Sequence, residues 1–435
     1  MKTIALLTFI AVYALLLLLP KYRAVSALSA AALFLLLRIV PLGDVAGTVD
    51  WNVLMMLAGT MGTVDLFIRS NMPNRLSDRL VAVLPSVKWL IIALALFAGL
   101  VSAFVDNVAT VLMLAPVGLA ISKKLNISPV QPILAIAVSS NLQGAATLVG
   151  DTTSILLGGH MGLDFMDFFA YRGRPGLFWV VQAGALMTVP VMLFLFRKEK
   201  GKLYGAALTP VTDYLPTCLL LGTVLSLIAA SFIPNKPDIT NGVICMVFFL
   251  VGLLLVCMTF FLAGLAAECG RYGTALAKDV LKAIDYETLA LLAGLFLVIR
   301  GMERGGIIDD LSHIITGMGG GNLFLTYTII VWASVLISAF VDNIPYTATM
   351  LPVVGGVAAA LGVDQTVLCF GLLVGATLGG NLTPVGASAN IAACGILRRE
   401  GYEVSAGQFM RIGVPFTLAA VLTGYVLVWL FYAGL

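Results

Sequence analysis

Two aspartate–asparagine pairs, Asp106-Asn107 and Asp342-Asn343, sit inside otherwise apolar stretches of this chain. Each closes the hexapeptide Ser-Ala-Phe-Val-Asp-Asn, at residues 102–107 and again 236 positions later at 338–343. A carboxylate among Phe, Val and Leu is costly in lipid, so it is expected to face protein or water and to serve ions or protons. A copy in each half is the pattern of a duplicated secondary transporter. The plainer alternative is that both aspartates cap the helices that follow them, a role compatible with ion binding.

The same offset of 236 aligns further residues without a gap: Pro116 with Pro352, Gly144 with Gly380, Thr147 with Thr383, Gly150 with Gly386 and Ser154 with Asn390. All but the prolines fall in two segments, 141–154 and 379–390, unusually rich in Gly, Thr, Ser and Asn for an apolar region. Gly weakens helix continuity and Pro384 removes a backbone donor, so each span is expected to break near its centre. Unpaired backbone there is tolerated only where it is buried in protein or lines a cavity. The expected site therefore comprises Asp106, Asn107, Asn141, Gly144, Thr147, Gly150, Asp151 and Ser154 from the first half. From the second half come Asp342, Asn343, Asn381, Thr383, Pro384, Gly386, Ser388 and Asn390. A Na⁺ site is expected at Asp106, Asn107, Asp342 and Asn343. Asp151 has no acidic counterpart, because Ala387 stands in its place, so it reads equally as an ion relay or a cap.

The elements that must carry these residues are apolar spans. The 435 residues are 60% hydrophobic and 11% charged, against about a quarter charged in soluble domains, so most of the chain belongs in a bilayer. A net charge of +3, dispersed, gives no footing for nucleic acid. Six scattered cysteines without CxxC spacing read as small apolar residues in spans. The run from Ile4 to Leu19 resembles a signal peptide in shape. Pro20-Lys21-Tyr22-Arg23 is no cleavage site, however, and the run reads as a first transmembrane helix.

Segmentation predicts an all-α polytopic membrane protein of two inverted repeats. Each has five spans plus one re-entrant hairpin, with broken helices at the midplane. The first repeat is placed at 1–199, a cytoplasmic linker at 200–213 and the second repeat at 214–435. The hairpins fall at about 87–122 and about 323–361, because the return at 108–122 is short against the ~20 residues a spanning helix needs. Five crossings per repeat is odd, which inverts the second copy. Eighteen of the 25 Lys and Arg fall on one face; that face is expected to be cytoplasmic, with both termini outside. The two tips then approach each other from opposite sides.

Other polar residues read as structural. Asp65, Arg300 and Arg304 are expected at span ends. His160 and His313 stand alone at segment ends. The Gly317–Gly321 run lacks the Lys-Ser/Thr of a phosphate loop and is expected to be a flexible lead into the second hairpin. The run Arg197–Lys202 is expected to fix topology.

The Asp-Asn tips, with Thr110 and Leu114-Ala115-Pro116, Gly150-Asp151 and Asn381 through Asn390, resemble the ion transporter superfamily. The similarity is closest to its ArsB/NhaD-type and P-protein branch, and looser to citrate and divalent-anion symporters. It implies a scaffold with a moving transport domain, elevator-like alternating access and a homodimer. It also implies arsenite efflux or Na⁺/H⁺ antiport driven by protons or sodium. Where the dicarboxylate branch has Ser-Asn-Thr at its tips, this chain has Asp106-Asn107-Val108 and Asp342-Asn343-Ile344. Added negative charge there argues against a dianion and for a cation or a neutral hydroxide.

The expectation is thus a secondary active transporter of the plasma (inner) membrane, partnered by a small inorganic solute and the lipid bilayer. H⁺ or Na⁺ is the coupling ion, and no other cofactor is expected. A Na⁺-coupled di- or tricarboxylate symporter is the alternative, and a passive channel ranks below both. An enzyme is not expected, since no nucleophile set or metal motif is present.

Overall fold

The computed structural model describes residues 2–19, 22–84, 86–125, 127–197, 209–263 and 278–434. The basic residues Lys198, Lys200 and Lys202, most of the expected 200–213 linker and Cys269 lie outside the described residues.

The first half contributes α1 (Lys2–Leu18), α2 (Arg23–Leu36), α3 (Trp51–Arg69), α4 (Met72–Val83) and α5 (Val87–Ser102). It continues with α6 (Asn107–Leu125), α7 (Val130–Gly144), α8 (Thr152–Met161) and α9 (Leu177–Leu195). The second half repeats the series as α10 (Leu215–Ala230), α11 (Thr240–Ala263), α12 (Tyr286–Arg304), α13 (Ile307–Met318) and α14 (Leu323–Ser338). It ends with α15 (Asn343–Leu361), α16 (Thr366–Gly379), α17 (Ser388–Arg399) and α18 (Ala406–Tyr432).

Matching local signals start matching helices. Asp50 accepts from the Val53 amide at 3.0 Å to open α3, and Asp285 accepts from the Thr288 amide at 3.0 Å to open α12. Left-handed joints at Asn71 (φ 60°) and Gly306 (φ 69°) then turn the chain into α4 and α13. Neither helix was expected. Both are amphipathic: in α13, Ile307 and Ile308 are buried while Asp309 and Asp310 are exposed. The Gly317–Gly321 run is a built corner. Positive φ at Gly320 and Gly321 lets α13 and α14 meet at 114°.

Each tip joins two helices, α5 to α6 and α14 to α15, and the return arms are longer than the short ones expected. α6 and α15 are 19 residues each, since each starts at its tip Asn and runs through an internal proline. Among the described residues, Trp51–Arg69, Leu177–Leu195, Asn343–Leu361 and Ala406–Tyr432 are long and apolar enough to cross a membrane individually. Seven others among the described residues, α1, α2 and α5 included, are shorter apolar helices. Both expected breaks are present, between α7 and α8 and between α16 and α17.

The halves exchange elements. α2 packs on α12, and α11 packs on α3, so each half clamps the third helix of the other. α8 lies against α15, and α17 lies against α6. This crossed arrangement carries the start of α8 to the tip of the opposite hairpin, at Asn343, whereas the start of α17 lies beside the tip of its own half, at Asp342. The buried apolar core runs through both halves, while large apolar side chains such as Leu7, Leu36, Leu225, Leu254 and Leu430 remain exposed. Such a belt suits lipid. The chain is a multi-pass, mostly helical membrane protein.

Candidate functional site

Four helix N-termini gather at the centre: α6, α8, α15 and α17. Asp106, Asp151 and Asp342 stand at the first three, and each carboxylate caps its own helix. Asp106 Oδ2 accepts from the Val108 and Ala109 amides at 2.9 and 3.1 Å. Asp151 Oδ1 accepts from the Thr152 amide at 2.8 Å, and its Oδ2 accepts from Thr153 Oγ1 at 2.8 Å. Asp342 Oδ1 accepts from the Ile344 amide at 3.1 Å. The fourth N-terminus, at Ala387, has no side-chain cap. Positive helix ends favour nearby negative charge, and this is how three acids can share one buried region.

The second tip is linked to Asp151. Asn343 Nδ2 donates to Asp151 Oδ2 at 3.4 Å, tying the second tip to the first half. Asp151 and Asp342 are 5% exposed, while Asp106 is half-buried.

An amide ladder crosses the centre. Ser102 Oγ donates to Asn107 Oδ1 at 2.7 Å, and Asn107 Nδ2 donates to Asn141 Oδ1 at 3.2 Å. Asn141 Nδ2 donates to the Thr377 carbonyl at 2.8 Å and to Asn381 Oδ1 at 3.2 Å. Asn381 Nδ2 returns the contact, donating to the Val138 carbonyl at 2.8 Å. Both broken spans are thereby fastened to one another. Thr153 and Thr377 hydroxyls pair at 3.0 Å, joining Asp151 to the same ladder.

Each break also builds a knot of carbonyls against its hairpin. A Cβ on Gly150 would meet the carbonyl oxygens of Gly144, Ala103 and Ser102 at 2.6, 2.7 and 2.8 Å. On Gly386 it would meet those of Gly380, Ala339 and Ser338 at 2.6, 2.8 and 2.8 Å. These positions correspond one to one at the 236 offset, and only glycine fits. Thr147 and Thr383 donate to the carbonyls of Ala103 and Ala339, pinning each hairpin turn to its break. Their hydroxyls therefore hold backbone in this arrangement.

The halves differ in detail. Asn390 Nδ2 holds the Gly380 and Thr383 carbonyls at 3.1 and 3.3 Å, whereas Ser154 Oγ reaches the Gly144 carbonyl only at 3.4 Å. Ser388 Oγ donates to Asp342 Oδ2 at 3.0 Å. Pro384 contributes the break and no polar contact.

Sequence reasoning missed Arg23. Grouped there with Lys21 as a basic flank, it reaches Asp342, with Nη1 at 2.8 Å from Oδ2. Crossing of α2 onto α12 brings this first-half arginine to the second tip. Nothing local in the sequence signals that contact. Thr377 was findable, since it aligns with Asn141 at the same offset. The residues read as structural behave so. Asp65 pairs with Arg69 at 2.6 Å, Arg300 with Glu303 at 2.9 Å and Arg304 with Asp44 at 2.5 Å. Cys218, Cys245, Cys369 and Cys394 are free thiols.

A family model described as citrate transporter (CitMHS) matches residues 13–375. An uncharacterized transporter of Mycobacterium tuberculosis is 30% identical over 442 residues, covering 99% of each chain. The P protein of Homo sapiens is 26% identical over 501 residues, covering 97% of this chain and 59% of that protein. Among solved structures, the YdaH transporter of Alcanivorax borkumensis superposes with a TM-score of 0.59 at 15% identity. That match covers 94% of this chain and 97% of the other, and it shows a shared fold.

Proposed function

The chain is a membrane transporter belonging to the citrate transporter family, and from that premise we propose a cation-coupled secondary transporter. Its coupling ion, H⁺ or Na⁺, binds at Asp106, Asp151 and Asp342. The observation that carries this reading is the contact of Asn343 with Asp151. It ties Asp151 of the first half to the second tip, where among the described residues Arg23 alone forms an ion pair with any of the three acids. An acidic site of this kind attracts a cation or takes up a proton, and loading it lowers the charge that must cross the membrane.

The carbonyl knots at Gly150 and Gly386 and the amides of Asn107 and Asn343 supply neutral oxygen ligands of the kind Na⁺ takes. The related helix series and their crossed packing support two repeats of opposite orientation, with hairpins entering from opposite sides and both termini outside the plasma membrane. Alternating access by an elevator-like motion and a homodimeric assembly belong to the same proposal. The leading passengers are a small inorganic cation or a neutral hydroxide such as arsenite, since three carboxylates repel a polyanion.

A second reading, citrate or dicarboxylate symport, is favoured by one feature. The α17 N-terminus at Ala387 lacks a carboxylate cap and lies beside Ser388, whose hydroxyl reaches the Arg23-paired Asp342. Flux into proteoliposomes decides between the two readings. Arsenite, ²²Na⁺, citrate and dicarboxylates are offered under imposed proton or sodium gradients. Gradient-driven movement of the inorganic solutes supports the first reading, and gradient-driven citrate uptake supports the second. Solute movement indifferent to both gradients contradicts the proposal.

A further inference from the structure

Arg23 is held in an unusual way for a half-buried arginine. Its guanidinium meets Asp342 through Nη1 at 2.8 Å, while Nε is buried without a partner. A permanent arginine–carboxylate pair commonly uses the fork of two parallel N–H donors. The Asp342 side chain is 4% exposed and that of Arg23 is 21% exposed, so the acid is buried while the arginine keeps access to solvent.

Next to the pair is a cavity of about 190 Å³, lined by Arg23, Asp285, Glu287, Thr288, Asp342 and Ser388 among others. Asp285 and Glu287 stand at the exposed start of α12, the helix that α2 packs against. Arg23 therefore shares this cavity with one buried acid, Asp342, and two exposed ones, Asp285 and Glu287. Among the described residues no arginine pairs with the first tip, and α11, the counterpart of α2, begins at Thr240.

We propose that Arg23 is a resident counter-cation for Asp342. It neutralises the tip when no coupling cation is bound, and swings toward Asp285 and Glu287 when one binds. This deepens the reading of the tips as cation sites and rests on it. An empty site with a bare buried carboxylate would be strongly unfavourable, and the guanidinium removes that penalty. The cation must then displace the guanidinium, so Arg23 weakens cation binding and makes it selective for ions able to compete. The charged groups facing Asp342 are Arg23 from α2, Asp285 and Glu287 from α12, and Asp151 from α8. Ser388 from α17 adds a hydroxyl.

The test uses the purified full-length protein in detergent, with thermal unfolding followed as NaCl replaces choline chloride at constant ionic strength. A parallel arm titrates pH without sodium. For whichever cation stabilises the wild type, Arg23→Gln should lower the half-saturating concentration about ten-fold. Arg23→Lys should restore the wild-type value, and Glu287→Gln, which removes an acid that receives the guanidinium, should raise it several-fold.

An Arg23→Gln half-saturation that is unchanged or higher overturns the proposal. If Arg23→Gln does not fold, an unchanged value in Glu287→Gln overturns it instead. Asp342→Asn separates the two levels of the argument. Loss of the cation response in Asp342→Asn without any change in Arg23→Gln sinks only the counter-cation. A full response in Asp342→Asn, or none in the wild type, sinks the cation site and the counter-cation together.

Discussion

The two hairpin tips share six consecutive residues, yet they sit in different electrical surroundings. Asp106 has no ion-pair partner among the described residues, whereas Asp342 is paired with Arg23. Asn107 binds the neutral Asn141, whereas Asn343 binds the acidic Asp151. Even the leading serines diverge: Ser102 donates to Asn107, and Ser338 donates to the Ala376 carbonyl at 2.5 Å. Duplication supplied two equal tips, and residues outside the repeated motif made them unequal. Asp151 and Arg23, neither of which has a like counterpart in the other half, set the difference.

Substitutions at the acids should expose that inequality most strongly. Asp106→Asn is expected to cut cation-driven flux at least 100-fold with little loss of stability, because an asparagine still caps α6. Asp342→Asn should cut flux comparably and also destabilise the protein by about 3–5 kcal/mol, since it leaves the Arg23 guanidinium partly buried and unpaired. Adding Arg23→Gln should recover much of that stability. Equal thermal shifts for the two single variants would show that the tips are equivalent after all.

The glycine knots make the opposite prediction, because there the halves match atom for atom. Gly150→Ala and Gly386→Ala each force a Cβ against three carbonyl oxygens at 2.6–2.8 Å. Each should cost about 1–3 kcal/mol and sharply reduce flux, to a similar degree. Tolerance at one position alone would show that the corresponding knot opens. A smaller difference is expected at Asn390, which holds two carbonyls that Ser154 hardly serves in the first half. Asn390→Ser should cost about 1–2 kcal/mol, read from thermal unfolding, and Ser154→Asn should cost less.

The smallest effect lies outside the spans. Burial works against ionisation of Asp364. Hydrogen bonds from Thr366 and Arg172, the latter at 2.7 Å, outweigh it and hold the carboxyl below its ordinary value. A lowered folded value contributes stability that is present above the unfolded value, near pH 4. That stability is lost as pH falls further through the folded value. Asp364→Asn should flatten this acid limb by about 0.2–1 kcal/mol, discounted for solvent screening, and leave flux near neutral pH unchanged.

Much of this was legible in the chain. The repeated hexapeptide located both tips, and the 236 offset located both breaks, because glycine and proline act on the backbone wherever they stand. The amphipathic α4 and α13 escaped notice because their apolar faces are short and mixed with charge, unlike the long apolar runs around them. The return arms ran longer than expected since a capped start and a proline tolerated within the helix outlasted the apolar stretch. Arg23 was not legible at all. Its role depends on α2 crossing to the other half, a tertiary choice that no local pattern announces, and its charge read naturally as a membrane flank.

The central claim is that the acids at the two tips and at Asp151 bind the coupling cation. Charge displacement on a solid-supported membrane tests it without any knowledge of the passenger. A sodium or proton concentration jump should evoke a transient current in the wild-type protein. That current should be abolished in Asp106→Asn, Asp151→Asn and Asp342→Asn. Currents of wild-type size in all three variants would contradict the account.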